Sequence, residues 1–279
     1  MLTRRTLLQH SVIAPLAAFL PAQNASTSRS ATRVKACLNG QRLRSDNAAI
    51  PITPDETAAS AREAVAAGAF AVHFHVRDRE GRPTLDPEDM ARTLSAVRAA
   101  IPGTAVGVST GAFIERDVDR RYATVDRWRV FPDFASVNMR EEGAAALAEL
   151  LISRGVGVEA GLMDVSGARE LVASGLMPRC LRVLLEPGQP TLAAAIENVN
   201  GIETILGPQE ASRVPRLLHG TGATAWAVLE EAIARGYDTR IGFEDTTTLP
   251  DGTAAPSNGS LVAAAIRQIR LKQTQIPAR

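Results

Sequence analysis

The stretch Gly68-Ala69-Phe70-Ala71-Val72-His73-Phe74-His75-Val76-Arg77-Asp78 decides how the chain is read. A glycine stops a helical pattern and an apolar run begins at once. Inside the run His73 and His75 alternate with Val72, Phe74 and Val76. On a strand, residues two apart point to one face. The two imidazoles therefore share one side, and the apolar side chains point the other way, toward covering helices. Two imidazoles on one face can meet one metal ion, whereas two hydrogen-bonded histidines lining a ligand pocket would give the same spacing.

Working outward, the same unit repeats. Upstream, Val34 to Leu38 reads as a strand ending at Asn39-Gly40. Thr53-Pro54-Asp55-Glu56 then opens a helix: Thr53 caps, Pro54 suits the first helical position and Glu56 completes a capping box. That helix runs to about Ala67, and the strand Ala69 to Val76 follows. Downstream, Asp86-Pro87 opens a helix that ends near Pro102-Gly103. Strands are expected at Ala105–Ser109, Phe134–Val137, Val156–Leu162, Cys180–Leu185, Arg216–Leu218 and Arg240–Phe243. Helices are expected at Glu115–Trp128, Gly143–Arg154, Ser166–Ser174, Thr191–Ile205, Ala223–Arg235 and Ser260–Lys272. Alternating strand and helix implies a parallel sheet with helices outside. Eight such units in 279 residues predict a closed (β/α)₈ TIM barrel, an α/β fold of about 250 residues. No Gly-x-Gly-x-x-Gly follows the first strand, which weighs against a dinucleotide fold.

With 45% hydrophobic and 22% charged residues, the chain has the apolar material for one sizeable core. A formal net charge of +1, with no basic stripe and no aromatic stacking series, gives nucleic-acid binding no support. Cys37 and Cys180 are far apart and read as small buried hydrophobes. Residues 1–33 differ from the rest. Arg4-Arg5 precedes the apolar run Val12 to Leu20, too short to span a bilayer, and then a small polar stretch. This is the outline of a twin-arginine-like export signal, or else of a disordered extension. The domain reading is therefore an extension over 1–33 and a catalytic barrel over 34–279. The location expected is cytoplasmic, with export as the alternative.

In such a barrel function sits at the C-terminal ends of the strands, and nearly every predicted strand brings a polar group there. The list runs through Asn39, His73 and His75, Ser109 and Thr110, Asn138, Glu159, Glu186, His219, and finally Glu244-Asp245. A catalytic zinc takes three protein ligands and keeps one open position. Of the four histidines, His10 lies in the extension. The third ligand is then His219 or a carboxylate, and Glu244 and Asp245 are the best-placed carboxylates, because strand eight lies beside strand one. Arg240, four residues before Glu244, either orients Asp245, clamps a substrate carboxylate, or forms a structural ion pair. Glu159 is a charge inside an apolar strand, so it is expected to be catalytic or to have a buried partner. Ser109 and Thr110 can offer hydroxyls and backbone N–H groups to an anion. Trp128 and Trp226 sit in helical patterns and read as packing residues.

Taken together, Ala36-Cys37-Leu38-Asn39-Gly40, Thr53-Pro54-Asp55-Glu56, His73 to Gly81, Ser136-Val137-Asn138, His219-Gly220 and Arg240 to Asp245 resemble the β-keto acid cleavage enzymes. The resemblance covers about Val34 to Lys272. It implies a zinc-bearing (β/α)₈ barrel that converts a β-keto acid and acetyl-CoA into acetoacetate and a new acyl-CoA. It further implies that His73, His75 and Glu244 bind one Zn²⁺ and that Asp245 with Arg240 forms an acid–base dyad. Glu159 joins these as a catalytic candidate, and Ser109, Thr110 and Asn138 as substrate contacts. The partners expected are the keto acid, acetyl-CoA and further copies of the chain, without nucleic acid or membrane. Relatives often carry an acid just after the first-strand glycine, whereas Gln41 and Arg42 stand here. The rival readings are a metal-dependent lyase or hydrolase that does not use CoA, and an exported ligand-binding barrel without catalysis.

Overall fold

A computed structural model describes residues 31–275. Eight strands run in parallel: β1 (Val34–Cys37), β2 (Ala71–Phe74), β3 (Ala105–Ser109), β4 (Phe134–Asn138), β5 (Gly157–Leu162), β6 (Arg182–Leu185), β7 (Arg216–Leu218) and β8 (Thr239–Ile241). They pair in the order β7-β6-β5-β4-β3-β2-β1-β8. The seam between β7 and β8 is joined by a parallel bridge from Leu217 to Asp238, with Leu218 N–H on Asp238 O at 3.0 Å. The result is a nearly closed (β/α)₈ barrel, as the alternation of elements predicts.

Among the described residues the outer ring holds α1 (Pro54–Ala66), α2 (Pro87–Ala100), α3 (Val118–Asp126), α4 (Ala144–Ser153), α5 (Val165–Ser174), α6 (Leu192–Leu206), α7 (Gln209–Ser212), α8 (Ala225–Arg235) and α9 (Asn258–Gln275). The capping box of α1 is present on both sides, with Thr53 accepting from Glu56 N–H and Glu56 accepting from Thr53 N–H. Helix α3 starts three residues later than its apolar pattern suggests. Glu115 accepts from Asp117 N–H, and Asp117 caps Arg120 N–H, so the first helical turn is set at Val118. The short α7 carries no periodic signal and was not anticipated.

Strand alternation sorts the two faces. Val34, Ala36, Val72, Phe74, Val106, Val108, Val158, Ala160, Val183 and Leu185 join the buried layer between sheet and helices. The intervening residues, including Lys35, Cys37, His73, Ser109, Ser136 and Glu159, face the barrel interior. That interior is unusually charged for a fold whose centre is normally Val, Ile and Leu. Lys35 Nζ lies 2.5 Å from Glu159 Oε2, both side chains wholly buried. Arg182 Nε lies 3.1 Å from Glu159 Oε1, and Phe134 fills the space left by Gly107, where a Cβ would come within 1.9 Å of the ring.

Arg33, read from sequence as the last residue of the extension, is tied into the barrel. Its guanidinium pairs with Asp238 at 2.6 Å and sits over the Phe70 ring. The signal-like segment itself lies outside the described residues. No described helix is long and apolar enough to cross a membrane.

Candidate active site

His73 is the third residue of β2, and His75 lies just beyond its end. What extends the strand geometry to His75 is a side chain. Asn39, wholly buried after β1, accepts from His75 N–H at 2.9 Å and donates to His75 O at 3.1 Å, as a neighbouring strand would. The two imidazoles are edge-on, with ring centroids 5.5 Å apart. Glu244, from the loop after β8, reaches both: Oε2 is 3.6 Å from His73 Nε2, and Oε1 is 3.6 Å from His75 Nε2. Gly40 makes this approach possible, since a Cβ there would lie 2.5 Å from Glu244 Cγ.

The three groups fit a divalent ion. Their ligand atoms lie within 4.8 Å of one another. Atoms about 2.0–2.1 Å from one tetrahedral centre stand roughly 3.3 Å apart, close to the 3.6 Å seen. Glu244 Oε2 is buried without a hydrogen-bond partner, an expensive arrangement for a carboxylate unless a cation completes it. Burial, aided by Lys35, His75 and Arg240 and opposed by Glu244, holds the His73 imidazole well below its usual pKa. It is therefore neutral and free to ligate. Burial would raise the Glu244 carboxyl, but Arg240, then His75 and His73, outweigh it and keep the group ionised.

Beside this set lies a second cluster. Arg240 donates from Nε and Nη2 to Asp245 Oδ1 at 3.1 and 2.9 Å, and from Nη2 to Glu244 Oε1 at 3.0 Å. Asp245 is fully buried, and its Oδ2 has no partner. His219, open from sequence as a third metal ligand, is turned to Asp245 and Glu186 instead. So the structure brings together His73, His75 and Glu244, and joins Arg240 to both Glu244 and Asp245. It does not bring Glu159 to them. That carboxylate sits two residues before Gly161, one interior layer down, engaged by Lys35 and Arg182. Of the three residues expected to contact substrate, Ser109 and Asn138 are on interior positions at the rim. Ser109 Oγ accepts from Gly111 N–H, and Asn138 Nδ2 donates to Glu141 at 2.7 Å. Thr110 points its hydroxyl at Ser136 O, 2.8 Å away.

Other contacts escaped the sequence reading. Phe113 stacks on His75 at 5.2 Å and 22°, covering it from the loop after β3. Arg77 donates to the carbonyls of Gly40 and Arg42. Arg42 in turn donates to the carbonyls of Glu244 and Asp245 at 3.3 and 3.4 Å. The arginine of the His-Phe-His-Val-Arg run thus helps hold the loop that carries the carboxylates. Its nearness to the histidines in sequence was a usable signal; nothing in sequence marks Phe113.

The chain is similar to known proteins over most of its length. It is 28% identical over 238 residues to the 3-keto-5-aminohexanoate cleavage enzyme of Fusobacterium nucleatum subsp. nucleatum, covering 79% of this chain and 84% of that protein. It is 28% identical over 241 residues to the 3-oxoadipate:acetyl-CoA acetyltransferase of Cupriavidus necator, covering 78% and 81%. Among solved structures it resembles ObcA, both apo (TM-score 0.62, 17% identity) and in a ternary complex with a C4-CoA adduct and oxalate (TM-score 0.63, 18% identity). Each match covers 81% of this chain, which spans 62% and 64% of those longer chains, and the likeness shows the shared fold. The model of the beta-keto acid cleavage enzyme family matches residues 32–277, and with the His73, His75, Glu244 and Arg240–Asp245 arrangement now placed at one rim, the chain belongs to that family.

Proposed function

We propose that this protein is a zinc-dependent acyltransferase that converts a β-keto acid and acetyl-CoA into acetoacetate and a new acyl-CoA. The observation that carries the proposal is the division of labour between two adjacent carboxylates. Glu244 faces His73 and His75, while Asp245 beside it offers an unpartnered buried oxygen. Zn²⁺ held by His73, His75 and Glu244 would polarise the keto oxygen and offset negative charge developing next to it.

The chain's own residues do the rest. Acetoacetate keeps C1 and C2 of the keto acid and gains the acetyl group, so C2 must become a nucleophile. Asp245 Oδ2 takes the C2 proton, with Oδ1 held by Arg240. The new C2–acetyl bond expels the CoA thiolate. That thiolate then adds to the keto carbon, the C2–C3 bond breaks, and Asp245 returns its proton to the acetoacetate carbanion. Ser109 and Asn138 at the same rim are proposed to hold the substrate's polar groups, and Thr110 to do so through its backbone. Glu159 is assigned a supporting role: it holds Lys35, whose charge helps keep His73 neutral.

The test measures acetoacetate from a panel of β-keto acids, with and without acetyl-CoA, on zinc-loaded protein. Turnover needing both acetyl-CoA and zinc is expected, and H73A, H75A or E244A should lose the metal and the activity together. Full activity in a metal-free variant, or product without acetyl-CoA, would overturn the proposal.

A further inference from the structure

Of the charged groups that the proposed reaction leaves without a task, the buried His219 and the part-buried Glu186 lie nearest the base. His219 follows β7, with its N–H on Leu185 O at 3.2 Å, and Glu186 follows β6. His219 Nε2 hydrogen-bonds Glu186 Oε2 at 3.0 Å, whereas Nδ1 lies 3.3 Å from Asp245 Oδ1 as an ion-pair contact outside hydrogen-bond geometry. Arg240 Nη1 is 3.6 Å from the same Glu186 oxygen. Asp245, His219, Glu186 and Arg240 therefore close a ring in which anion and cation alternate. Gly161 leaves Glu186 its place, since a Cβ there would lie 2.4 Å from Glu186 Oε1 and the carboxylate would have to shift.

A free carboxylate has two equivalent oxygens and rotates about its terminal bond. A base that takes a proton from carbon needs one oxygen aimed at that proton and held there. Here every cationic contact to Asp245 falls on Oδ1: Arg240 Nε, Arg240 Nη2 and His219 Nδ1. Oδ2 receives none. Taking the proposed reaction as its basis, we infer that His219 is a positioning residue for Asp245, seated by Glu186, and that it keeps Oδ1 occupied so that Oδ2 alone meets the substrate. Contact with both carboxylates calls for a proton on each ring nitrogen. Burial and Arg240 oppose that charge, but Asp245 and Glu186 outweigh them and raise the His219 pKa.

The two ring nitrogens have different jobs, and that makes the inference testable. The amide nitrogen of Asn stands where Nδ1 stands, and that of Gln where Nε2 stands. We expect H219N to keep kcat within about threefold of wild type. H219Q and H219A should lose about 10- to 100-fold in kcat, the usual scale for a residue that orients a functional group. KM should move by less than about threefold in all three, because the ground-state contacts are untouched. The assay is acetoacetate release from the β-keto acid that wild type turns over best, at saturating acetyl-CoA, with bound zinc measured on each variant. E186Q, which removes the charge but leaves an acceptor for Nε2, should lower kcat in the same direction as H219Q and by a smaller factor, which serves if His219 variants fold poorly. H219Q matching or exceeding H219N, a defect confined to KM, an unaffected E186Q, or loss of zinc in step with kcat would each overturn the inference while leaving the proposed reaction standing. Wild-type protein that gives no acetoacetate from any keto acid would overturn the reaction itself, and this role with it.

Discussion

Replacing Glu159 by Gln separates a buried structural charge from a catalytic one. Glu159 has no exposed surface and neutralises two cations, Lys35 at 2.5 Å and Arg182 at 3.1 Å. At 2.5 Å the Coulomb attraction to Lys35 alone is about 7 kcal/mol for an effective dielectric constant near 20. Most of that offsets the desolvation of both ions, so the pair adds little net stability. Breaking it is another matter. Glu159→Gln keeps the shape but strands Lys35, and the next carboxylate near Arg182 is Asp238 at 3.9 Å. Removing one partner of such a pair costs about 3–5 kcal/mol. At roughly 2–4 °C per kcal/mol for a chain of this size, Tm should fall by about 6–20 °C. Adding Lys35→Met should restore at least about 2 kcal/mol, since the stranded charge is gone. Urea unfolding of wild type, both single variants and the double variant gives the coupling from the shift in midpoint. Activity at a temperature where all four are folded gives the rest, and kcat is expected within about tenfold of wild type. An E159Q variant with an unchanged midpoint and no turnover would refute this reasoning and put Glu159 on the substrate.

Two further outcomes follow from the local geometry. Gly40 has φ +55°, and a Cβ there would meet Glu244 Cγ at 2.5 Å, so Gly40→Ala should weaken metal binding about 10- to 100-fold. Competition with a chelator measures this, and an unchanged affinity would show that Glu244 is not held by that close approach. The second concerns Glu56. Burial pushes its carboxyl up, but the Thr53 and Ile52 N–H groups and Arg44 outweigh it and lower the pKa to about 2. A carboxyl whose folded pKa is depressed stabilises the fold above its ordinary pKa and loses that contribution as pH falls. The side chain is 41% exposed, so Glu56→Gln should cost only about 1 kcal/mol at pH 7 after allowance for solvent screening. That cost should shrink as pH drops from about 4.5 towards 2; thermal unfolding across this range checks it, and a pH-independent difference would contradict the assignment.

The barrel was legible because its signals are local. The period-two alternation in Val72 to Val76 and the capping residues before α1 and α2 act within a few positions, and the structure keeps them. The strand bearing the histidines nonetheless ends at Phe74, earlier than its apolar run. Beyond it Asn39 takes over the pairing, a long-range substitution of side chain for strand that no window of sequence displays. The grouping of His73, His75 and Glu244 was open to reasoning from strand order, because β8 pairs with β1 and β1 with β2. Whether His219 faced the histidines or the aspartate was not, because that depends on which way one imidazole turns at the rim. Glu159 stands out as a charge inside an apolar strand and reads first as catalytic; the structure pairs it with Lys35 and Arg182. Its depth in the barrel, where Lys35 and Arg182 meet it, depends on the register of β5 against β6.

The Asn39–Gly40 step carries a consequence for the chemical lifetime of the site. Asparagine followed by glycine is the dipeptide in which the next backbone nitrogen most easily attacks the side-chain amide and releases ammonia. In the folded barrel Asn39 has no exposed surface, and its amide is fixed by contacts to His75 and Pro51, so the attack geometry is closed. Each local opening of the rim lifts that protection. Deamidation there would set a carboxylate against the carbonyls of Pro51 and His75 that Nδ2 now serves, so His75 would keep an acceptor for its N–H but lose the donor to its carbonyl that completes the alignment. Ageing of this protein should therefore register first as weakened metal binding, before any change in its overall fold.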